Sequence, residues 1–301
     1  MERDEYVPLF EDSSNLVSRA SLLRLSAKSI ATSMQSGAFR SLRRGQGIEF
    51  SGVREYFIGD DVRTIDWNVT ARMNKPYVKI FDEEKEMVVF VLLDRSLSME
   101  LGSGKKSRLQ VASEAACLLT FAAEQNASPV GLILFDGELQ FISEPKTGKD
   151  NAMLLLQQLN RIPKKIKAGS VLTNALRGAE KILKKRSLVV ILSDFRCAFY
   201  EDALASLAIK HDVVAVNLSD SIDTDFPSVG MLPFYDPETK VFEMYPTENE
   251  SFKKEWKIAG QKRIEKFVSV CNKRGVSPLF LSTKDDPVFV LNKFFSSRRR
   301  G

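Results

Sequence analysis

An α/β fold, a doubly wound and mostly parallel sheet with helices on both faces, is what these 301 residues predict. Three observations carry that reading. Short apolar runs recur along the second half of the chain: Met87–Leu93, Val130–Phe135, Leu188–Leu192, Val213–Leu218 and Leu279–Leu281. Consecutive rather than alternating apolar positions mark strands buried on both sides, which is the habit of a parallel sheet. The stretches between these runs repeat their apolar residues with helical period, and strand–helix alternation of this kind winds into right-handed crossovers. Composition agrees, because 44% hydrophobic and 28% charged residues describe a chain that buries a core. The apolar runs fall far short of the roughly 20 residues a membrane span needs.

The elements follow in order. From Ser13 to Ile48 there is no acidic residue, while Arg19, Arg24, Lys28, Arg40, Arg43 and Arg44 are basic. Leu16, Ala20, Leu23, Ala27, Ile30 and Met34 alternate at spacings of four and three, which puts them on one stripe of a helix. Residues 1–47 therefore read as a basic amphipathic helical segment that lays its stripe on the body; a docking helix for an acidic partner is the alternative. Residues 48–86 read as a small β unit of short strands and turns around Ile48–Phe50, Arg54–Tyr56 and Tyr77–Phe81, with a turn at Gly59-Asp60. Residues 87–300 form the α/β domain. Its helical faces include Leu109, Ala112, Ala116, Leu119 and Ala123, then Met153–Leu159, Leu176–Leu183, Ala203–Leu207 and Lys257–Cys271. A proline-rich insert at 227–250 contains half of a hairpin at Val241–Met244, and Arg298–Arg300 reads as a solvated tail.

Charge and cysteine use narrow the classes of function. The balance of 44 basic against 39 acidic residues gives +5, too mild and diffuse to argue for nucleic acid. Three widely spaced cysteines fit reduced thiols of a cytosol. The acidic start, Met1-Glu2-Arg3-Asp4-Glu5, lacks an apolar signal core, so the expected location is cytoplasmic.

Chemistry concentrates at Asp94-Arg95-Ser96-Leu97-Ser98-Met99, at the carboxyl end of the first buried strand. Ligands of open α/β sheets bind outside the carboxyl ends of the strands. One carboxylate and two hydroxyls at alternate positions can turn their oxygens toward a common centre, and hard oxygens suit Mg²⁺ or Mn²⁺. A second strand ends at Ser193-Asp194, and the loop Ala168-Gly169-Ser170 enters a helix through Thr173, so three loops can contribute. The competing reading is that Asp94 and the serines cap the next helix. Gly102-Ser103-Gly104-Lys105-Lys106-Ser107 is not a phosphate loop, because Lys106 follows Gly-Lys where Ser or Thr is required. A Mg²⁺-dependent phosphohydrolase using Asp94 and Asp194 is the rival function, but Ser96 occupies the place of its acid. The lone histidine, His211, fits a helix end or the surface, and zinc has no ligand set.

Asp94-x-Ser96-x-Ser98 resembles the metal-ion-dependent adhesion site of von Willebrand factor type A domains. The segment Gly45-x-Gly47-x-Glu49-Phe50, Arg54-Glu55-Tyr56-x-x-Gly59-Asp60-Asp61-x-Arg63-x-Ile65-Asp66-Trp67 and Ala71-Arg72 resembles the signature of the bacterial domain-of-unknown-function 58 family. That likeness runs through Ser193-Asp194-Phe195 and Asp236-Pro237-Glu238-Thr239, over about residues 13 to 300. By resemblance, Asp94, Ser96 and Ser98 match the first metal-binding element and Asp194 the third. Ser170 stands where the second normally has a Thr after Gly, with Thr173 as the fallback. The resemblance implies a von Willebrand factor A-like fold, no established enzymatic activity, and work beside a MoxR-type AAA+ ATPase in complex assembly or chaperone-like activation. The expected protein is thus a non-enzymatic, metal-dependent interaction module whose ion receives a carboxylate from that ATPase or another acidic protein. The charges around Trp67 (Arg54, Tyr56, Asp60, Asp61, Arg63, Asp66, Arg72) are either an ion-pair network or a second contact surface.

Overall fold

A computed structural model describes residues 6–8, 27–32, 34, 49–82, 87–163, 166–167, 169–236 and 241–298. The chain divides into two compact units, Met1–Ala38 together with Met87–Gly301, and Phe39–Glu86. In the larger unit β1 (Tyr6–Pro8) pairs antiparallel with β7 (Arg161–Pro163). Residues 27–32 and 34 are helical. Of the basic N-terminal segment, Met1–Ala38 is grouped with Met87–Gly301. Ala27, Ile30, Ala31 and Met34 are between 0% and 4% exposed, and Asn126 Nδ2 donates to the Ala31 carbonyl at 2.9 Å. Leu16, Ala20 and Leu23 lie outside the described residues.

The smaller unit consists of β2 (Glu49–Glu55), α1 (Trp67–Met73) and β3 (Tyr77–Asp82), with β2 and β3 antiparallel across a bulge between Phe50 and Gly52. Two of the expected short strands are therefore one, and Trp67–Met73 is a helix rather than a turn. Its start is set by Asp66, whose carboxylate accepts from Asn68 N at 3.0 Å and Val69 N at 3.2 Å, satisfying donors a helix leaves orphaned. Asp61 does the same for the 3₁₀ turn Val62–Thr64, accepting from Arg63 N at 3.0 Å. Arg54 grips both oxygens of Asp60 at 2.6 Å, a bidentate pair that holds the Asp60 carboxyl down at about 2. Arg63 and Arg72 are exposed and form no ion pair among the described residues. The expected network thus shrinks to Arg54–Asp60 and a long Lys79–Asp66 contact of 3.9 Å. Arg63→Ala should accordingly leave unfolding stability within about 0.5 kcal/mol of wild type in urea titration, as exposed substitutions do.

The larger unit is built on six strands in the order β12-β9-β8-β4-β5-β6. Of these, β4 (Val88–Asp94), β5 (Val130–Phe135), β8 (Ser187–Ser193), β9 (Asp212–Ser219) and β12 (Ser277–Ser282) run parallel, and β6 (Leu139–Lys146) closes one edge antiparallel. Every residue of β4, β5 and β8 is buried. Helices are α2 (Arg108–Gln125), α3 (Lys149–Asn160), α4 (Leu172–Ile182), α5 (Glu201–Lys210), α6 (Glu250–Lys273) and α7 (Pro287–Ser297). Val88, Phe90 and Leu92 on one face of β4 join Leu172 and Leu176 of α4, Leu204 and Leu207 of α5 and Phe267 of α6 in one core, each such side chain contributing about 1.5–3 kcal/mol. The other face takes α2, nearly all of which is buried. At Gly131 an added Cβ would lie 2.6 Å from the Phe90 ring and 2.8 Å from the Ser143 carbonyl, so only glycine leaves room for both. The mixed α/β class is as expected.

The proline-rich insert forms a hairpin of β10 (Met231–Asp236) and β11 (Val241–Pro246). Four further features differ from expectation in whole or in part. β6 and α7 emerge where no strand or helix was anticipated. Arg298 is not a solvated tail, since its Nη2 donates to Asp212 at 2.6 Å; Arg299 and Arg300 lie outside the described residues. His211 ends α5, the first of its two expected placements, and is buried, 5% exposed, so the surface alternative does not hold. Burial, with the Lys210 and Arg186 cations, pushes its pKa below the ordinary value against the smaller pull of Glu180. The unfolded chain takes up that proton near pH 6.5, so stability present above 6.5 should be lost as pH falls through the lowered folded value. Urea unfolding between pH 7 and 5 should show a shallower acid loss in His211→Phe; an identical slope would count against burial as its cause.

Candidate metal centre

The chain leaves β4 at the point where successive connections depart to opposite sides, toward β5 and toward β8, so a crevice opens at the carboxyl ends of β4 and β8. Asp94 ends β4 and is 1% exposed. Arg95, the next residue, turns its buried guanidinium away and donates to the carbonyls of Arg161 (2.6 Å), Gln158 (2.7 Å) and Leu159 (3.1 Å). It thereby caps the end of α3 and anchors the loop from behind. Ser96 N donates to Asp94 Oδ1 at 2.9 Å, turning the chain so that Ser96 Oγ and Ser98 Oγ lie 3.2 Å apart.

Two other loops arrive at the same carboxylate. Ser170 Oγ donates to Asp94 Oδ2 at 3.0 Å and Ser193 Oγ to the same oxygen at 2.7 Å. Thr173 faces elsewhere, its hydroxyl donating to the Phe199 carbonyl at 3.0 Å. Helix capping does not account for this cluster. Ser96 makes no side-chain cap, and α2 is capped by its own box of Ser107 and Gln110.

Asp194 supplies the second carboxylate, its side chain 4% exposed. Oδ1 accepts from Arg196 N at 3.1 Å. Oδ2 is buried without a hydrogen bond, its nearest cation being Arg196 Nε at 3.5 Å. Burial first, and then the Asp194 charge, push Asp94 up to about 6 against the pull of its hydrogen bonds from Ser96 and Ser193. Two confined carboxylates thus share one nearby cation, Arg196, which Asp223 also engages, and one carboxylate oxygen has no hydrogen bond. Hydroxyl and carboxylate oxygens are the donor set of a hard cation such as Mg²⁺. No three His, Cys, Asp or Glu side chains gather as a metal-binding group among the described residues, so softer metals have no such set here. Asp94, Ser96, Ser98, Ser170 and Asp194 fit the ion; Thr173 does not join them.

Sequence reasoning missed the supports. Ser193 was legible only as a strand end. Arg108, 1% exposed, donates to the Ser98 carbonyl at 2.8 Å and to Asp223 Oδ1 at 2.5 Å. Arg196 bonds the same Asp223 oxygen. A chain of contacts therefore runs from the Ser98 loop through Arg108, Asp223 and Arg196 to Asp194. Cys197 borders the site half-buried, its thiol pushed up to about 12 by burial and by the Asp94 and Asp194 charges, which keeps it protonated and unreactive.

Comparison with known proteins adds family to geometry. An uncharacterized protein of Mycobacterium tuberculosis is 28% identical over 299 residues, covering 96% of this chain and 92% of its own, and one of Mycobacterium bovis matches equally. Among solved structures, the conserved hypothetical protein BatB of Bacteroides thetaiotaomicron is 16% identical with a TM-score of 0.44, over 71% of this chain and 100% of that one. An aerotolerance-related membrane protein of Bacteroides fragilis is 18% identical with a TM-score of 0.46, over 71% and 98%. The VWA domain of SpRpn10 is 10% identical with a TM-score of 0.35, over 69% and 94%. The model of the family described as Protein of unknown function DUF58 matches residues 52–266, and the chain belongs to that family.

Proposed function

We propose that this protein is a non-enzymatic interaction module that takes an acidic protein partner in a manner dependent on a divalent cation. Ser96, Ser98 and Ser170 would hold Mg²⁺ or Mn²⁺ directly, and Asp94 and Asp194 through water. The bound ion supplies positive charge that a partner's carboxylate can neutralise. The observation that carries this reading is the buried Asp194 Oδ2 left without a hydrogen bond beside an Asp94 pushed up to about 6. Buried acceptors in native proteins are almost always satisfied, and an ion or water is one of the explanations an exception calls for.

The family resemblance of the signature around Trp67 supports a MoxR-type AAA+ ATPase as the partner and complex assembly or chaperone-like activation as the role. A cytoplasmic setting belongs to the same proposal; the described residues contain no helix long and apolar enough to cross a membrane. The non-enzymatic part rests on proton traffic. Ser96, not an acid, stands two residues beyond Asp94, and the centre has no histidine. Full-length protein should capture the ATPase in pull-down with Mg²⁺ and release it in EDTA, and Asp94→Ala should abolish capture while leaving circular dichroism unchanged. Equal recovery with and without chelator sinks the mechanism. A generic phosphoester screen with Mg²⁺ should show no turnover.

A further inference from the structure

A cation of the protein's own already stands beside the candidate metal centre. Arg196, two residues beyond Asp194, turns its guanidinium back toward that carboxylate, with Nε 3.5 Å from Oδ2. The contact is electrostatic and not a hydrogen bond, since Oδ2 accepts none. Asp94 has no arginine or lysine in ion-pair range among the described residues. Arg196 is therefore the sole cation in that range of either acid of the centre among the described residues.

The other end of the guanidinium belongs to Asp223, whose Oδ1 accepts from Nη2. Asp223 has further partners. The same oxygen takes Arg108 Nη2 at 2.5 Å, and Oδ2 takes Asp220 N at 2.8 Å. Arg108 is 1% exposed, which fixes that pair in place, whereas the Arg196 side chain is 33% exposed. With Asp194 and Asp223, Arg196 also lines a cavity of about 580 Å³ at the carboxyl ends of β8 and β9. The guanidinium thus has room to leave Asp194 without unpacking the core, and on leaving it keeps Asp223. A positive charge held against Asp194 takes up part of that carboxylate's field. An incoming dication must share what is left or push the guanidinium aside.

We infer that Arg196 is a resident counter-ion of the centre, in competition with the divalent cation for Asp194, and that it raises the cation concentration at which the centre fills. The inference rests on the cation reading given above. An arginine that merely held the Asp194 loop in place would act in the opposite sense, because a loosened ligand binds an ion less tightly. The sign of the change on removing Arg196 separates the two roles.

The test is calorimetric titration of full-length protein with MgCl₂ at pH 8 and fixed ionic strength. Arg196→Gln removes the charge and keeps a donor for Asp223; it should bind Mg²⁺ about fivefold or more tighter than wild type. Arg196→Lys, which keeps the charge, should stay within about twofold of wild type. Arg186→Ala removes the same net charge from an exposed position at the opposite end of β8 and should leave binding unchanged. Unchanged or weaker binding in Arg196→Gln, with Mg²⁺ bound by wild type, overturns the inference and leaves the cation reading standing. Equal tightening in Arg186→Ala overturns it too, since net charge alone would then explain the effect. Binding in Arg196→Gln but not in wild type supports both readings, and no binding in either removes both. Should Arg196→Gln melt below the assay temperature, Arg196→Met serves in its place.

Discussion

Asp94→Asn should make the metal-free protein more stable at pH 7 while removing its affinity for Mg²⁺. The sign follows from the carboxyl's two environments. Its pKa rises from 3.8 to about 6 on folding, so the folded state holds the proton more tightly than the unfolded chain does. Such a group contributes stability fully below 3.8 and loses it as pH rises through about 6. At neutral pH the charged form is therefore a burden of up to about 3 kcal/mol. The amide keeps an acceptor for Ser96 N but surrenders the oxygen that Ser170 and Ser193 share, which trims the gain to about 1–2 kcal/mol. Urea unfolding in EDTA at pH 7 measures it, and wild type should close the gap as pH falls toward 4. A structural carboxylate behaves in the opposite way, so loss of stability in Asp94→Asn at pH 7 would remove the centre's main electrostatic support. Titration with MgCl₂ should show binding in wild type and none in the variant, the trade between stability and activity that functional sites carry.

Arg108→Ala should be among the most destabilising single changes in the molecule, at about 3–5 kcal/mol. The guanidinium is 1% exposed and serves the Ser98 carbonyl and Asp223 together. Truncation strands a buried carbonyl, leaves Asp223 to Arg196, and opens a void under the Ser96–Ser98 loop. Arg108→Met restores much of the volume without the charge and should recover only part of the loss. Both variants should also weaken Mg²⁺ binding, since Ser98 loses its tether. Urea titration and calorimetry provide the two readouts; a cost below about 1 kcal/mol, the range of exposed pairs, would show that the network is not cooperative.

Much of this architecture was legible residue by residue. β4, β5 and β8 read as buried strands because apolar side chains occupy successive positions on both faces. β6 escaped because its residues alternate between exposed and half-buried, with Glu144, Pro145 and Lys146 diluting the pattern. α1 escaped because its start is a carboxylate cap at Asp66, easily read as one more charge in a loop. The strand-end Asp94 and its two serines announced themselves by local spacing. Arg108, Arg196 and Asp223 did not, since their contacts join positions 27 to 115 residues apart, and no periodicity encodes such a distance. The choice of Ser170 over Thr173 turned on the backbone, where Gly169 at φ +89° redirects the loop.

The smaller unit is threaded into the chain as an insertion, leaving after Ala38 and rejoining at Met87. Because β2 and β3 run antiparallel, Glu49 stands opposite Asp82, and the described part of the unit begins and ends on paired strands. A hairpin of this kind behaves as a cassette: the connection between Glu55 and Tyr77, which carries the 3₁₀ turn and α1, can lengthen, shorten or be exchanged for the slow logarithmic cost of closing a loop, without shifting the register of any strand in the main sheet. Change can then accumulate in one unit while the strand ends that carry Asp94 and Asp194 in the other stay as they are.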